Sequence, residues 1–145
     1  MADHLSRERR SENMARIRSK DTKPEMRIRR LLHKEGYRYR CHVPGLAGKP
    51  DLVFTRRRKA LFVHGCFWHQ HSGCPRATRP KTNQPYWLEK LARNVERDAR
   101  HVRILENGGW SVLVVWECQS SAPELVRRLR NFLGPTLVPR TGDMP

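Results

Sequence analysis

Asp51-Leu52-Val53-Phe54 and Ala60-Leu61-Phe62-Val63-His64, apolar runs on either side of the basic turn Arg56-Arg57-Arg58-Lys59, decide how the rest of the chain is read. Both are short and apolar throughout, so together they read as an antiparallel hairpin covered on both faces. Further on, Leu91, Ala92, Val95, Ala99 and Val102 recur at helical spacing from Leu88, and Gly108-Gly109 stops the pattern. A long amphipathic helix with these residues on its core face is expected. Ser111 to Trp116 is a nearly unbroken apolar run, and after a long helix it is placed in the same sheet by a crossover connection. Ser121, Pro123 and Glu124 cap a last helix through Leu133. On the N-terminal side, Pro44 to Pro50 is a loop rich in turn formers, and Tyr37 to Val43 alternates like a strand. Before it, Thr22 as N-cap, Pro24 in the first turn and Glu25 three residues after the cap open a helix, with Ile28, Leu31 and Leu32 on one face and Gly36 as its stop. The sum is an α/β domain of three layers with a mixed sheet of about four strands.

At 145 residues the chain suits one domain, placed at 21–133, between a basic and partly disordered N-terminal arm (1–20) and a flexible C-terminal tail (134–145). Lysine and arginine number 30 against 14 acidic residues, a net charge of +16, which calls for a polyanionic partner. A membrane is not that partner, since no run approaches the roughly 18 apolar residues of a spanning helix. The N-terminal stretch also lacks the apolar centre of a signal peptide, so the chain is expected in the reducing cytoplasm, with its cysteines as thiols or metal ligands.

Residues 65–87 hold cysteine, histidine, proline and tryptophan without periodicity, so something other than backbone pairing must fix that segment. Cys66, His71 and Cys74 lie close together, and Cys118 follows the last strand. Three sulfurs and one imidazole suit a structural Zn²⁺, which would staple the loop to the end of the sheet. Four protein ligands close such a site, so catalysis must lie elsewhere. Cys41, in a strand pattern, is expected to be a buried thiol.

Pro50-Asp51 opening an apolar strand is how restriction-endonuclease-like nucleases place an aspartate that binds Mg²⁺. Their usual acidic residue followed two later by lysine is absent, because Val63 and Gly65 occupy those places. The segment His64-Gly65-Cys66-Phe67-Trp68-His69-Gln70-His71 nevertheless resembles the very short patch repair endonucleases. The resemblance runs over roughly residues 11–120 and takes in Ser11, Asn13-Met14, Thr22, Glu25, Gly48-Lys49-Pro50-Asp51, Trp87-Leu88-Glu89-Lys90, Asn94-Val95-Glu96-Arg97-Asp98, Gly109-Trp110 and Val115-Trp116-Glu117-Cys118.

It implies a restriction-endonuclease core in which a backbone carbonyl, here that of Val63, helps Asp51 hold Mg²⁺. It implies His69 as general base and His64 as a polar contact to the phosphate. Glu25 is either the capping-box partner of Thr22 or a carboxylate of the site. The offset from Cys66 makes His71 the zinc ligand, with His69 as the alternative. The implied substrate is double-stranded DNA with a T:G mismatch, nicked by a monomer in the bacterial cytoplasm, at the nucleoid.

Phe67, Trp68 and Trp87 stand in or beside this loop. Core packing is the ordinary role of aromatics. Here the loop offers no other apolar partner, and Arg76, Arg79 and Lys81 make it basic, so the three are read as wedges that enter a base stack where mispairing makes unstacking cheap. Trp110 and Trp116 are assigned to the core. The rival functions are a restriction or nicking endonuclease acting on matched DNA, and a zinc-containing DNA-binding module without activity, which leaves Asp51 and His69 no task.

Overall fold

The computed structural model describes residues 21–78 and 81–136, so the expected arm, Arg79 and the tail beyond Thr136 lie outside it. Helix α1 spans Lys23–Lys34; the Thr22 hydroxyl accepts the Glu25 N–H at 3.4 Å, Pro24 sits in the first turn, and Ile28 and Leu32 are buried. Gly36, with φ of +96°, then reverses the chain in a backbone region that a side chain would resist.

Four strands follow: β1 (Arg40–Cys41), β2 (Leu52–Phe54), β3 (Lys59–His64) and, after helix α2 (Gln84–Asn107), β4 (Ser111–Trp116). They form one sheet in the order β1-β2-β3-β4. The pairs β1–β2 and β2–β3 are antiparallel, with Leu52 opposite Leu61, while β3 and β4 run parallel. The hairpin and the crossover thus stand where the sequence puts them.

Side-chain alternation divides the sheet's two faces. Leu52, Phe54, Leu61 and Val115 meet Ile28 and Leu32 of α1 and Leu125, Leu129 and Leu133 of the final helix α3 (Leu125–Leu133). Ala60 and Phe62 meet Leu105 of α2, with Val102, Trp110, Val112 and Val114 around them. The result is a helix layer on each face of a mixed sheet. No helix among the described residues is long and apolar enough to cross a membrane.

Several expectations are corrected. The strand over Tyr37–Val43 shrinks to Arg40–Cys41, because His42 takes a left-handed φ of +50° and ends the pairing. Cys41 is exposed rather than buried, since this strand lies at the sheet's edge. Helix α2 starts at Gln84, with Pro85 in its first turn, so Trp87 belongs to the helix and not to the loop. Its buried face is Trp87, Leu91, Asn94 and Leu105, while Ala92 and Ala99 are exposed and Val95 is 43% exposed. The helix is turned so that polar residues face inward. Helix α3 begins at Leu125, after a turn in which the Ala122 N–H bonds Gln119 and the Leu125 N–H bonds Ala122. At its end, residues 133–135 are tied to the body: the Tyr37 hydroxyl donates to the Gly134 carbonyl and the Arg57 guanidinium to those of Leu133 and Pro135.

Candidate active site and metal centre

The parallel register that pairs His64 with Trp116 explains the thiol cluster, since Cys66 and Cys118 each lie two residues beyond that pair. Consecutive turns bring up the rest: the His71 N–H bonds the Cys66 carbonyl at 3.0 Å, and the Cys74 N–H bonds the His71 carbonyl at 3.2 Å. One ligand atom from each of Cys66, His71, Cys74 and Cys118 lies within 4.8 Å of all the others, so the four can hold a metal ion. Tetrahedral zinc geometry puts sulfur and nitrogen about 3.6 Å apart; His71 Nδ1 lies 3.8 Å from Cys66 Sγ and 3.4 Å from Cys118 Sγ. Burial, reinforced by the Cys118 and Cys74 thiols, pushes the Cys66 thiol up to about 12, a state that a cation among the sulfurs reverses. The His71 ring is held by stacking on Trp116 at 4.3 Å, so Trp116 serves this cluster rather than the core.

Asp51 opens β2 on the face that carries Phe62 and His64, and its Oδ2 accepts the Val63 N–H at 2.6 Å. Burial raises the Asp51 carboxyl to about 7; the Val63 N–H and Arg29 oppose this, and the neighbouring Glu25 carboxyl adds to it. Glu25 is only 2% exposed, and its side chain does not close a capping box with Thr22. Its N–H serves the Thr22 cap, while its carboxylate turns toward the Arg29 guanidinium and lies 3.1 Å from His42 Nε2. Carboxylate oxygens are the donors that hard divalent cations take.

His64 and His69 stack face to face, ring centroids 3.8 Å apart and planes 5° from parallel. His69 Nδ1 bonds the Asp98 carboxylate. Burial acts upward on Asp98, but the bond and charge of His69 prevail and hold its carboxyl below the usual range. One turn earlier on α2, Asn94 donates to the Trp68 carbonyl at 3.3 Å, so two residues one helical turn apart grip consecutive loop residues. His71 joins the cysteines and His69 does not. Asp51, His64, His69 and Asp98 line one cleft of about 720 Å³, with His42 and Lys49 on its rim. Sequence reading assigned no role to Asp98, Asn94 or His42. The signal for the first two was polarity on the stripe that Trp87 and Leu91 bury.

Phe67, Trp68 and Trp87 do come together, but not as free wedges. Trp68 is 7% and Trp87 8% exposed, packed with Leu91, Tyr86 and a half-buried Phe67. The expectation that the loop lacks apolar partners fails because α2 begins early enough to supply them. The Lys90 ammonium lies 5.5 Å from the Trp68 ring centre.

An α/β chain of net charge +16, with a buried aspartate and a histidine–aspartate dyad in one cleft, has the make-up of an enzyme that cuts a polyanion; it is a DNA endonuclease. The family model for DNA mismatch endonuclease Vsr matches residues 2–75. The chain is 50% identical to Type II nicking enzyme V.XorIIP of Xanthomonas oryzae pv. oryzae, over 94% of this chain and all of the relative. It is 41% identical to Type II nicking enzyme V.NmeAIP of Neisseria meningitidis, over 92% and 94% of the two chains. To DNA mismatch endonuclease Vsr of Escherichia coli it is 44% identical, over 81% and 75%. The chain belongs to the Vsr endonuclease family.

Proposed function

We propose that the protein nicks one strand of double-stranded DNA on the 5′ side of the T of a T:G mismatch and so initiates very short patch repair. The observation that carries the proposal is the meeting of Asp51, with Glu25 buried behind it, and the His69–Asp98 dyad in one cleft. The E. coli relative's name, a mismatch endonuclease, supports the substrate.

The fold is read as a restriction-endonuclease-like core. Asp51 and the Val63 carbonyl would hold Mg²⁺, which when bound neutralises charge on the scissile phosphate. With Nδ1 engaged by Asp98, His69 takes the proton of the attacking water on Nε2. Asp98 fixes the ring and stabilises the imidazolium that forms. His64, stacked on His69, contacts the phosphate. Glu25 holds Arg29 and His42 around Asp51. Cys66, His71, Cys74 and Cys118 would hold Zn²⁺, which when bound would keep the loop that carries His69 in place. Phe67, half-buried at the edge of the aromatic cluster, enters the stack at the mispair, where unstacking is least costly, while Trp68 and Trp87 support it from within that cluster. The enzyme acts as a monomer in the bacterial cytoplasm, at the nucleoid.

The test is a panel of labelled duplexes alike except for one pair, T:G, T:A, C:G or another mismatch, assayed with Mg²⁺ and with EDTA. Nicking 5′ of the mispaired T, only with Mg²⁺, is expected. Equal cutting of the T:A duplex would establish instead the second reading, a nickase of matched DNA. No cutting of any duplex would overturn both.

A further inference from the structure

We infer that the protein has a second DNA-backbone site, a guanidinium groove at the outer edge of the sheet formed by Arg38, Arg40 and Arg56. The groove encloses about 360 Å³ and has buried Val53 in its wall. Its place follows from the pairing. Arg40 lies opposite Val53, which lies opposite Ala60, so all three project from the face that also carries Asp51, Phe62 and His64. Asp51 stands two residues before Val53, just ahead of β2, and Arg38 two residues before Arg40, just ahead of β1 and on the other side.

Two residues of strand span about 7 Å, so Arg40 stands one such step and Arg38 about 13 Å from the Asp51 row. With one charge per ~3.4 Å of axis on each DNA strand, a strand leaving the cleft along this edge passes a few phosphates within reach of the groove.

The chemistry of the groove selects a phosphate backbone. Among the described residues, no carboxylate forms an ion pair with Arg38, Arg40 or Arg56. Arg38 is pre-set by donating to the carbonyls of His33 at 3.2 Å and Tyr37 at 3.0 Å. Arg57, engaged with the chain beyond α3 and 5.3 Å from the Tyr37 ring centre, is a structural tie rather than a contact. Charged residues on an edge strand also deter pairing with other chains. That task needs Arg40 alone and does not account for three guanidinia on one groove.

The inference rests on the protein acting on DNA and not on its preference for a mismatch. Equilibrium binding of T:G and T:A duplexes is measured without Mg²⁺ over a range of salt, for the parent, Arg56→Gln, Arg40→Gln/Arg56→Gln, and Arg127→Gln as a remote exposed control; melting curves check folding. Each lost phosphate contact lowers the slope of log K against log salt by about 0.9, so falls of about 0.9 and 1.8 are expected for the single and double variants. Both duplexes should weaken by the same factor, with the control unchanged. Single-turnover nicking at saturating enzyme should stay at the parent rate. An unchanged slope in the double variant, or an equal loss in the control, overturns the inference. Because binding is read without cleavage, a failure of mismatch-specific nicking leaves this result standing.

Discussion

Asp51 and Asp98 are both carboxylates in one cleft, and their surroundings drive them in opposite directions. Burial beside Glu25 raises Asp51 to about 7, while the bond from His69 holds Asp98 low. Asp51→Asn should abolish nicking and leave duplex binding near the parent value, since it removes a cation ligand but no phosphate-binding cation; nicking close to the parent rate would refute its role. Asp98→Asn keeps the shape but can donate where His69 needs an acceptor, so nicking should fall about a hundredfold or more at unchanged binding.

The raised Asp51 value also has a consequence for stability. Between about pH 4 and 7 the Mg²⁺-free folded protein binds a proton there that the unfolded chain has released, so this group's stabilisation is full below its unfolded value of 3.8 and is lost as pH rises toward 7. Melting temperature should fall across that window more in the parent than in Asp51→Asn, and Mg²⁺ at pH 8 should restore it only in the parent. Identical pH profiles for the two proteins would show that Asp51 does not titrate in this way.

At the scale of elements, the start of α2 and the loop before it form one unit. Trp68 and Trp87 are buried against each other and Leu91, so Trp68→Ala should cost about 3–5 kcal/mol by thermal or denaturant melting. Phe67, half-buried at the cluster's edge, separates packing from recognition. Phe67→Ala should stay folded and lose roughly tenfold in preference for T:G over T:A, within the ~1–3 kcal/mol of a stacked base. A folded Phe67→Ala protein with undiminished preference would remove this residue from recognition. The loop that leads into Asp51 depends on Gly48, whose φ is +74° and where an added Cβ would sit 2.9 Å from His101 Cβ. Gly48→Ala should therefore lower stability by about 1–3 kcal/mol, and nicking with it, because Asp51 is three residues on.

For the molecule as a whole, the thiol–imidazole cluster joins the loop after β3 to the turn after β4, and His69, the base of the proposed mechanism, sits inside the span it closes. Purified protein is expected to carry one zinc per chain. Cys66→Ala should unfold or precipitate, because the metal's binding energy, on the order of 10 kcal/mol, is folding energy. Well-folded protein free of zinc by elemental analysis would overturn this. The positive charge acts at the same scale: binding to any duplex should weaken steeply with salt, while the choice of mismatch should not.

The hairpin, the crossover, both flanking helices and the cysteine–histidine set were legible in the chain because each rests on local pattern: apolar runs, a Thr22 cap, glycine stops and clustered metal-binding side chains. The turning of α2 was not legible. Its stripe of Leu91, Ala92, Val95, Ala99 and Val102 is as regular as that of Trp87, Leu91, Asn94, Asp98 and Leu105, and periodicity alone favours the more apolar of the two. Tertiary structure chose the other, since only that face lets Asn94 and Asp98 meet the Trp68 carbonyl and the His69 ring. The sequence by itself determined the elements, their order and the residue types available for chemistry. Which carboxylates pair, which histidine takes a carboxylate and which joins the thiols, and where the aromatics hide were decided by packing, because each depends on partners between 5 and 47 residues away in the chain.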